Sequence, residues 1–121
     1  MKITEEFLNR NPDIIFVYGD NDLHVGKGGA AVLREHPQAR GFITKRRPSM
    51  DDDAFYRPDN YTDKLDREIK RLEEFADANR DKLILVSRVG AGLANKYDIW
   101  EMIKPKLRIL TTTCDNIVLL N

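Results

Sequence analysis

The fold is decided by residues 14–34, which read Ile14-Ile15-Phe16-Val17-Tyr18-Gly19-Asp20-Asn21-Asp22-Leu23-His24-Val25-Gly26-Lys27-Gly28-Gly29-Ala30-Ala31-Val32-Leu33-Arg34. Residues 14–18 form a continuous apolar run with β-branched and aromatic members. This is typical of a buried strand, and the Gly, Asp and Asn that follow end it. The small and aliphatic residues further on indicate a helix over residues 27–36, which Pro37 closes. The loop of residues 19–29 therefore joins the carboxyl end of a strand to the amino end of a helix.

A loop of this kind favours an anion. Backbone N–H groups and the dipole of the following helix converge there, and glycine lets a phosphate approach the main chain closely. The spacing of the glycines matches neither GxGxxG nor GxxxxGKS/T, so the standard dinucleotide and P-loop motifs are not indicated. The alternative is that the glycines only form a tight turn between strand and helix.

The composition is that of one ordinary globular domain, residues 1–121. Hydrophobic residues make up 41% and charged residues 33%, which separates the chain from disordered sequences. Its 20 basic and 20 acidic side chains cancel. A dedicated nucleic-acid binder draws much of its affinity from phosphate neutralisation, so zero net charge argues against that class.

The numbers of cysteine and histidine residues bear on the cellular compartment and on which metal ions the chain can bind. The lone Cys114 cannot form an internal disulfide, and no secretory signal pattern is found, so we expect a protein of the cytoplasm, its own or a host's. No apolar run approaches the roughly 20 residues of a membrane helix. Two His and one Cys argue against zinc, while an oxygen-ligand site for a hard cation at Asp51-Asp52-Asp53 stays open. We expect no cofactor, no membrane partner and a monomer.

Helix and strand patterns alternate along the chain. Residues 2–11 predict a short helix capped by Thr4, and residues 61–75 predict the clearest helix because their apolar side chains recur at helical spacing. The same spacing follows residue 99, although Pro105 would kink that helix unless a new turn begins there. Further strands are predicted at residues 41–44, 83–86 and 116–120. The order predicts an α/β domain with a mostly parallel central sheet and helices on its faces.

Three stretches follow predicted strands directly. They are the first glycine loop at residues 19–29, Lys45, and a second glycine loop at residues 87–97. Ligands of parallel sheets bind outside the carboxyl ends of the strands, so we expect these stretches to converge on one crevice. The long loop of residues 46–60, without apolar periodicity, is expected to be functional or mobile.

The same stretches carry a family resemblance. They read Gly26-Lys27-Gly28-Gly29-Ala30-Ala31-Val32-Leu33, then Ile43-Thr44-Lys45-Arg46-Arg47-Pro48-Ser49, then Arg88-Val89-Gly90-Ala91-Gly92-Leu93 with Trp100 downstream. In order and spacing, the chain resembles the macrodomain family. Within it, the chain is similar to the small branch of terminal ADP-ribose protein glycohydrolase and the bacterial DNA ADP-ribosyl glycohydrolase antitoxins.

The resemblance implies a single three-layer macrodomain-like domain with an ADP-ribose cleft. The first glycine loop would hold the adenosine end and the distal ribose, and the second would wrap the diphosphate with main-chain N–H groups. The implied ligand-binding residues are Asp20, Asn21, Gly26, Gly28, Gly29, Val89, Gly90, Ala91, Gly92, Leu93, Asn95 and Tyr97. For Asp20, the alternative is a turn-forming cap.

The resemblance also implies a catalytic lysine. In hydrolytic members of the branch, a lysine that matches Lys45 attacks the anomeric carbon of the ribose, and an aspartate of the second loop assists. Such a lysine needs a lowered pKa, and Arg46 and Arg47 push in that direction. This chain departs from the pattern, because Ala94 stands where the aspartate is expected and Asp98 would have to fold back as its substitute. The alternative for Lys45 is a surface lysine in a basic run.

Three classes of function stay open. The first is a protein that binds ADP-ribose or an ADP-ribosylated macromolecule and hydrolyses the modification as an ADP-ribosyl glycohydrolase, with nucleic acid only as a modified substrate. The second is a non-catalytic reader or sequestering protein for NAD-derived nucleotides. The third is a nucleic-acid module that uses Lys45, Arg46, Arg47 and Arg34, against which the zero net charge weighs.

Three other side chains have two interpretations each. His24 can act in proton transfer or only form hydrogen bonds. Arg88 can pair with a phosphate or with a structural carboxylate. Trp100 can stack on a nucleotide or belong to the core, and its helical spacing favours the core.

Overall fold

A parallel sheet of four strands lies in residues 2–121, the residues that the computed structural model describes. The strands are β1 (Ile14–Asn21), β2 (Ala39–Lys45), β3 (Leu83–Val86) and β4 (Ile117–Leu119). Their spatial order is β2-β1-β3-β4, and every neighbouring pair is parallel. The predicted α/β class with a parallel central sheet is confirmed.

Three α-helices accompany the sheet: α1 (Glu5–Arg10), α2 (Pro58–Ala78) and α3 (Trp100–Thr113). Short 3₁₀ helices lie in the connections, at Gly29–Leu33, Asp52–Ala54 and Leu93–Tyr97. The Thr4 cap is confirmed, because its hydroxyl accepts the N–H of Phe7 at 3.1 Å. Pro105 lies inside α3, which continues through it. No helix within the described residues combines the length and the hydropathy of a membrane span.

Helices cover both faces of the sheet. Val17 of β1 belongs to a core that includes Leu65 of α2 and Ile103 of α3. Its neighbour Phe16 belongs to a second core on the other face, together with Leu8 of α1. Successive strand residues point to opposite faces, so the continuous apolar run of β1 is buried on both sides. Each such fully buried aliphatic side chain contributes about 1.5–3 kcal/mol relative to exposure.

The connection after β1 differs from its prediction. Gly19, Asp20 and Asn21 continue β1 by pairing with β2. The predicted helix over residues 27–36 is wrong, because only the 3₁₀ helix Gly29–Leu33 forms there. Gly29 has φ = 57°, which an α-helix cannot contain. A helix this short has little dipole, so anion binding by this loop depends on its N–H groups.

The long loop is also shorter than predicted. α2 begins at Pro58, within the loop predicted for residues 46–60. Proline fits the first position of a helix because the N–H that it lacks would have no partner there. The carbonyl of the Asn60 side chain accepts the N–H of Arg57 at 2.8 Å and closes this end of the helix.

Candidate functional site

A cavity of about 450 Å³ opens at the carboxyl ends of β1, β2 and β3. From β1 the chain continues to β2 on one side of β1, while β3 pairs with β1 on the other side. The order in which strands are added to the sheet therefore reverses between β1 and β3. Parallel sheets bind ligands in the crevice at such a point. The volume lies within the roughly 300–1,000 Å³ of small-molecule sites. The structure therefore has one crevice at the position where the sequence predicted it.

Most of the predicted site residues line this cavity, and four do not. Those in the lining are Asp20, Asn21, Gly26, Gly28, Gly29, Lys45, Val89, Gly90, Gly92 and Leu93. Those outside it are Ala91, Asn95, Tyr97 and Asp98. Three separate stretches of the chain thus meet in the lining.

Both carboxylate oxygens of Asp20 contact residues in or just after the first glycine loop. Its side chain is almost fully buried, and its Oδ1 lies 2.7 Å from Nη1 of Arg34. The same oxygen accepts the N–H of Asn21 at 2.8 Å, and Oδ2 lies 3.0 Å from Nδ1 of His24. These contacts correspond to the turn-forming role that was the alternative for Asp20. They also show His24 as a hydrogen-bonding side chain at the outer end of the loop.

Arg34 holds the first glycine loop, a role that the sequence did not predict; it was named only as a cation of the nucleic-acid alternative. Its Nε donates to the carbonyl of Gly26, and its Nη2 donates to that of Val25, both at 3.0 Å. With the ion pair to Asp20, all three guanidinium nitrogens are used, and the side chain is 12% exposed. No local sequence signal marks this role, because its partners lie eight to fourteen residues earlier in the chain.

Asn21 forms a local turn. Its side-chain carbonyl accepts the N–H of Leu23 at 3.1 Å, and its amide donates to the carbonyl of Val25 at 2.8 Å. Such a turn is a common role of asparagine after a strand. Both polar ends of the side chain are therefore engaged by the loop itself.

Lys45 ends β2 with its side chain half-buried in the cavity lining. Its Nζ donates to the carbonyl of Ser49 at 2.7 Å and lies 4.4 Å from the ring centroid of Phe55. Burial, and then the positive charge of Arg47, lower the pKa of Lys45. The carbonyl and the ring favour the ammonium form, so they limit this lowering. Lys45 therefore lies in the cavity lining and has a lowered pKa.

The second glycine loop needs glycine at Gly90. Its φ is 87°, and a Cβ there would lie 2.5 Å from Cδ1 of Ile103 and 3.4 Å from Cγ2 of Thr44. The backbone N–H groups of Gly28, Gly90 and Gly92 donate to no acceptor among residues 2–121. Since these three glycines line the cavity, their amide groups are available to an anion.

Asp98 does not take the place of the missing aspartate. Ala94 lies in the cavity lining, whereas Asp98 is exposed with φ = 61° and its N–H bonded to the carbonyl of Asn95. Asn95 in turn caps α3, because its side chain accepts the N–H of Trp100 at 2.9 Å. The Tyr97 hydroxyl donates to Asp52. The segment before Trp100 therefore serves to start α3, and Trp100 itself is buried in the core.

The three aspartates of the long loop form ion pairs with nearby basic side chains. Asp51 and Asp53 lie beside Arg47, and Asp52 beside Arg57 and Lys96. Lys96, then Arg57, hold the pKa of Asp52 below its usual value. Within residues 2–121, no group of three acidic, His or Cys side chains is arranged to hold a metal ion.

Thr44 and Ser87 line the cavity although the sequence analysis did not single them out. The Thr44 hydroxyl donates to the carbonyl of Asp20 at 3.4 Å, and that of Ser87 to the carbonyl of Val17 at 2.9 Å. Both stand at the carboxyl end of a strand, so the rule that located Lys45 could have located them. The rim is apolar: Leu93 is 78% exposed, Met50 65% and Val25 48%.

The fold and the cavity define a small α/β protein with a crevice at the carboxyl edge of a parallel sheet. Residues 1–96 match a family that is described as a family of unknown function (DUF7831), and the chain belongs to that family. Neither a curated protein nor a solved structure matches the chain.

Proposed function

We propose that this protein binds ADP-ribose, or a related NAD-derived nucleotide, in the cavity, as a macrodomain-like protein. The observation that carries the proposal is that Gly28, Lys45 and Gly90 line the same cavity. These residues come from the three stretches whose order and spacing resemble the macrodomain family. Had they been on different sides of the molecule, the resemblance would have had no site to support it.

The chemistry of the lining suits a nucleotide diphosphate. The amide groups of Gly28, Gly90 and Gly92 are without protein acceptors in the described chain, and glycine permits close approach of phosphate oxygens. The exposed apolar side chains of Val25, Met50 and Leu93 offer contact to a flat base or a ribose ring. A cavity with apolar walls and a few convergent donors is typical of cofactor and nucleotide sites.

Titration calorimetry with free ADP-ribose tests this proposal. We expect saturable heat, and we expect ADP-ribose but not AMP to raise the melting temperature, because binding to the folded state alone stabilises it. Absence of heat and of stabilisation at millimolar ADP-ribose would refute the proposal.

Two variants at Gly28 locate the binding site. Gly28 has φ = −76° and ψ = 143°, and an added Cβ would meet no atom within 4 Å, so both Gly28→Asp and Gly28→Asn are expected to fold. Like charges about 6 Å apart repel by about 3 kcal/mol at an effective dielectric constant near 20. Salt screening reduces this repulsion, so the Asp variant should bind about tenfold to hundredfold more weakly than the isosteric Asn variant. Equal affinities would place the ligand elsewhere.

Hydrolysis of an ADP-ribosyl modification through Lys45 is the second candidate. The position of Lys45 in the lining and the lowering of its pKa favour it. The exposed position of Asp98 and the presence of Ala94 favour the non-catalytic reader instead, because no second-loop carboxylate assists.

Incubation with an ADP-ribosylated substrate separates the two candidates. Release of ADP-ribose that is lost in Lys45→Ala and kept in Lys104→Ala supports the enzyme. Lys104 is a lysine of α3 outside the cavity lining, so it controls for the loss of one charge. Tight binding without release supports the reader.

A further inference from the structure

Three cationic side chains line the cavity, and they differ in what their donors already bind. Arg34 uses every guanidinium nitrogen on Asp20 and on two loop carbonyls. Lys45 donates to the carbonyl of Ser49. Arg88 is exposed, and within residues 2–121 its guanidinium has neither a hydrogen-bond acceptor nor a carboxylate within 4 Å. Arg88 is therefore the cavity cation whose side chain donates to no acceptor within the described residues, whereas Lys45 uses one of its three ammonium donors.

Arg88 is also held in place. It is the second residue after β3 and lies at the start of the second glycine loop, so its backbone is anchored at the carboxyl edge of the sheet. Its guanidinium carbon lies 5.3 Å from the ring centroid of Trp100, which is buried and fixed at the start of α3. A guanidinium that rests on an aromatic ring keeps its N–H groups free for an anion. The structural carboxylate that was the alternative partner of Arg88 is not found among the described residues.

We propose that Arg88 binds a phosphate or diphosphate group of the cavity's ligand and makes the site selective for anionic over neutral nucleotides. The proposal rests on the proposed function and deepens it. The planar guanidinium presents parallel N–H donors that match two phosphate oxygens, which a lysine ammonium cannot reproduce. The amides of Gly90 and Gly92 would complete the same anion site from the main chain.

Binding measurements on four proteins test Arg88: the wild type, Arg88→Ala, Arg88→Lys and Arg108→Ala. Arg108 is an exposed arginine of α3 outside the cavity lining, so its variant makes the same change in net charge. We expect Arg88→Ala to weaken ADP-ribose binding about tenfold to hundredfold, which is the usual range for a lost charge-assisted hydrogen bond. The affinity of Arg88→Lys should fall between those of the wild type and Arg88→Ala, and the affinity of Arg108→Ala should match that of the wild type. Equal affinities of Arg88→Ala and Arg108→Ala would overturn the proposal.

Inorganic pyrophosphate is a second probe that does not depend on ADP-ribose. Trp100 is the only tryptophan of the chain, so displacement of Arg88 toward an anion should change the intrinsic fluorescence directly. We expect a saturable pyrophosphate-dependent change in the wild type and in Arg108→Ala, and none in Arg88→Ala. A fluorescence change with pyrophosphate in a protein that does not bind ADP-ribose would support the Arg88 site and refute the proposed function. Persistence of the pyrophosphate response in a folded Arg88→Ala protein would overturn the Arg88 proposal alone.

Discussion

Gly90→Ala adds one methyl group at the centre of the second glycine loop. Gly90 has φ = 87°, a conformation that glycine adopts readily and L-amino acids rarely adopt. The new Cβ would lie 2.5 Å from Cδ1 of Ile103, a side chain that is fully buried. The substitution therefore combines backbone strain with overpacking, and the backbone strain cannot be relieved without moving the loop.

The expected loss of stability follows from those two terms. Holding a non-glycine residue in a sparsely populated conformation costs about 1–3 kcal/mol, and extra carbon in a packed core costs about 1–3 kcal/mol. The clashing atom is the end of a flexible side chain, so part of the second cost is relieved, and a total of about 2–4 kcal/mol is expected. For a chain of this size, each kcal/mol lowers Tm by about 3–5 °C, so Gly90→Ala should lower Tm by about 6–20 °C.

Calorimetric melting and urea unfolding measure this loss, with Gly28→Ala as the matched control. Gly28 lies in the same cavity lining, but its conformation is extended and its added Cβ would meet no atom within 4 Å. Because alanine restricts the unfolded chain more than glycine, Gly28→Ala should be neutral or stabilising by up to about 1 kcal/mol. Equal melting temperatures for the two variants would refute the described geometry of the second loop.

Three further variants test other parts of the molecule. Gly41→Ala should destabilise the protein, since its Cβ would lie 2.6 Å from Oδ2 of Asp20, and an effect that does not shrink in an Asp20→Ala background would contradict that cause. Burial and Arg47 lower the pKa of Lys45, so more of its amine is unprotonated at a given pH. Arg47→Ala should therefore raise that pKa and slow acylation of Lys45 in peptide mass spectrometry, and unchanged rates would exclude the charge effect. Glu68→Ala should cost about 1–3 kcal/mol in urea unfolding, because a buried N–H of β2 loses its acceptor. An unchanged urea midpoint would show that water replaces the carboxylate.

The sheet could be predicted because its strands are marked by short-range patterns. Residues 16–18 and 84–86 of the two apolar runs are buried on both faces, and such runs between turn residues are typical of parallel strands. Their alternation with helical patterns leaves few topologies open, since parallel neighbours need a crossover between them. The site followed from the same topology, because the strand-end rule needs only the order of the elements.

The first connection could not be predicted in the same way. Small and aliphatic residues at 29–33 are compatible with an α-helix, and the competing conformation is fixed by distant contacts. Arg34 donates to the carbonyls of Val25 and Gly26, and Pro48, which follows β2 in the chain, lies beside Gly26. A long-range ion pair and a positive φ at Gly29 decide between the two forms, and neither has a periodic signal.

The polar residues of the first loop illustrate a more general limit of sequence motifs. An Asp-Asn pair after a strand suggests ligand contacts, but Asp20 and Asn21 direct their side chains to Arg34 and to the loop backbone. Once these groups are satisfied internally, the donors left in the proposed site are main-chain amides, the guanidinium of Arg88 and the remaining ammonium donors of Lys45. Main-chain N–H groups donate to any anion of suitable shape, whereas a side chain can be removed by mutation without changing the fold. Discrimination among nucleotides should therefore change most at Arg88, and loop stability should change most at Asp20 and Gly90.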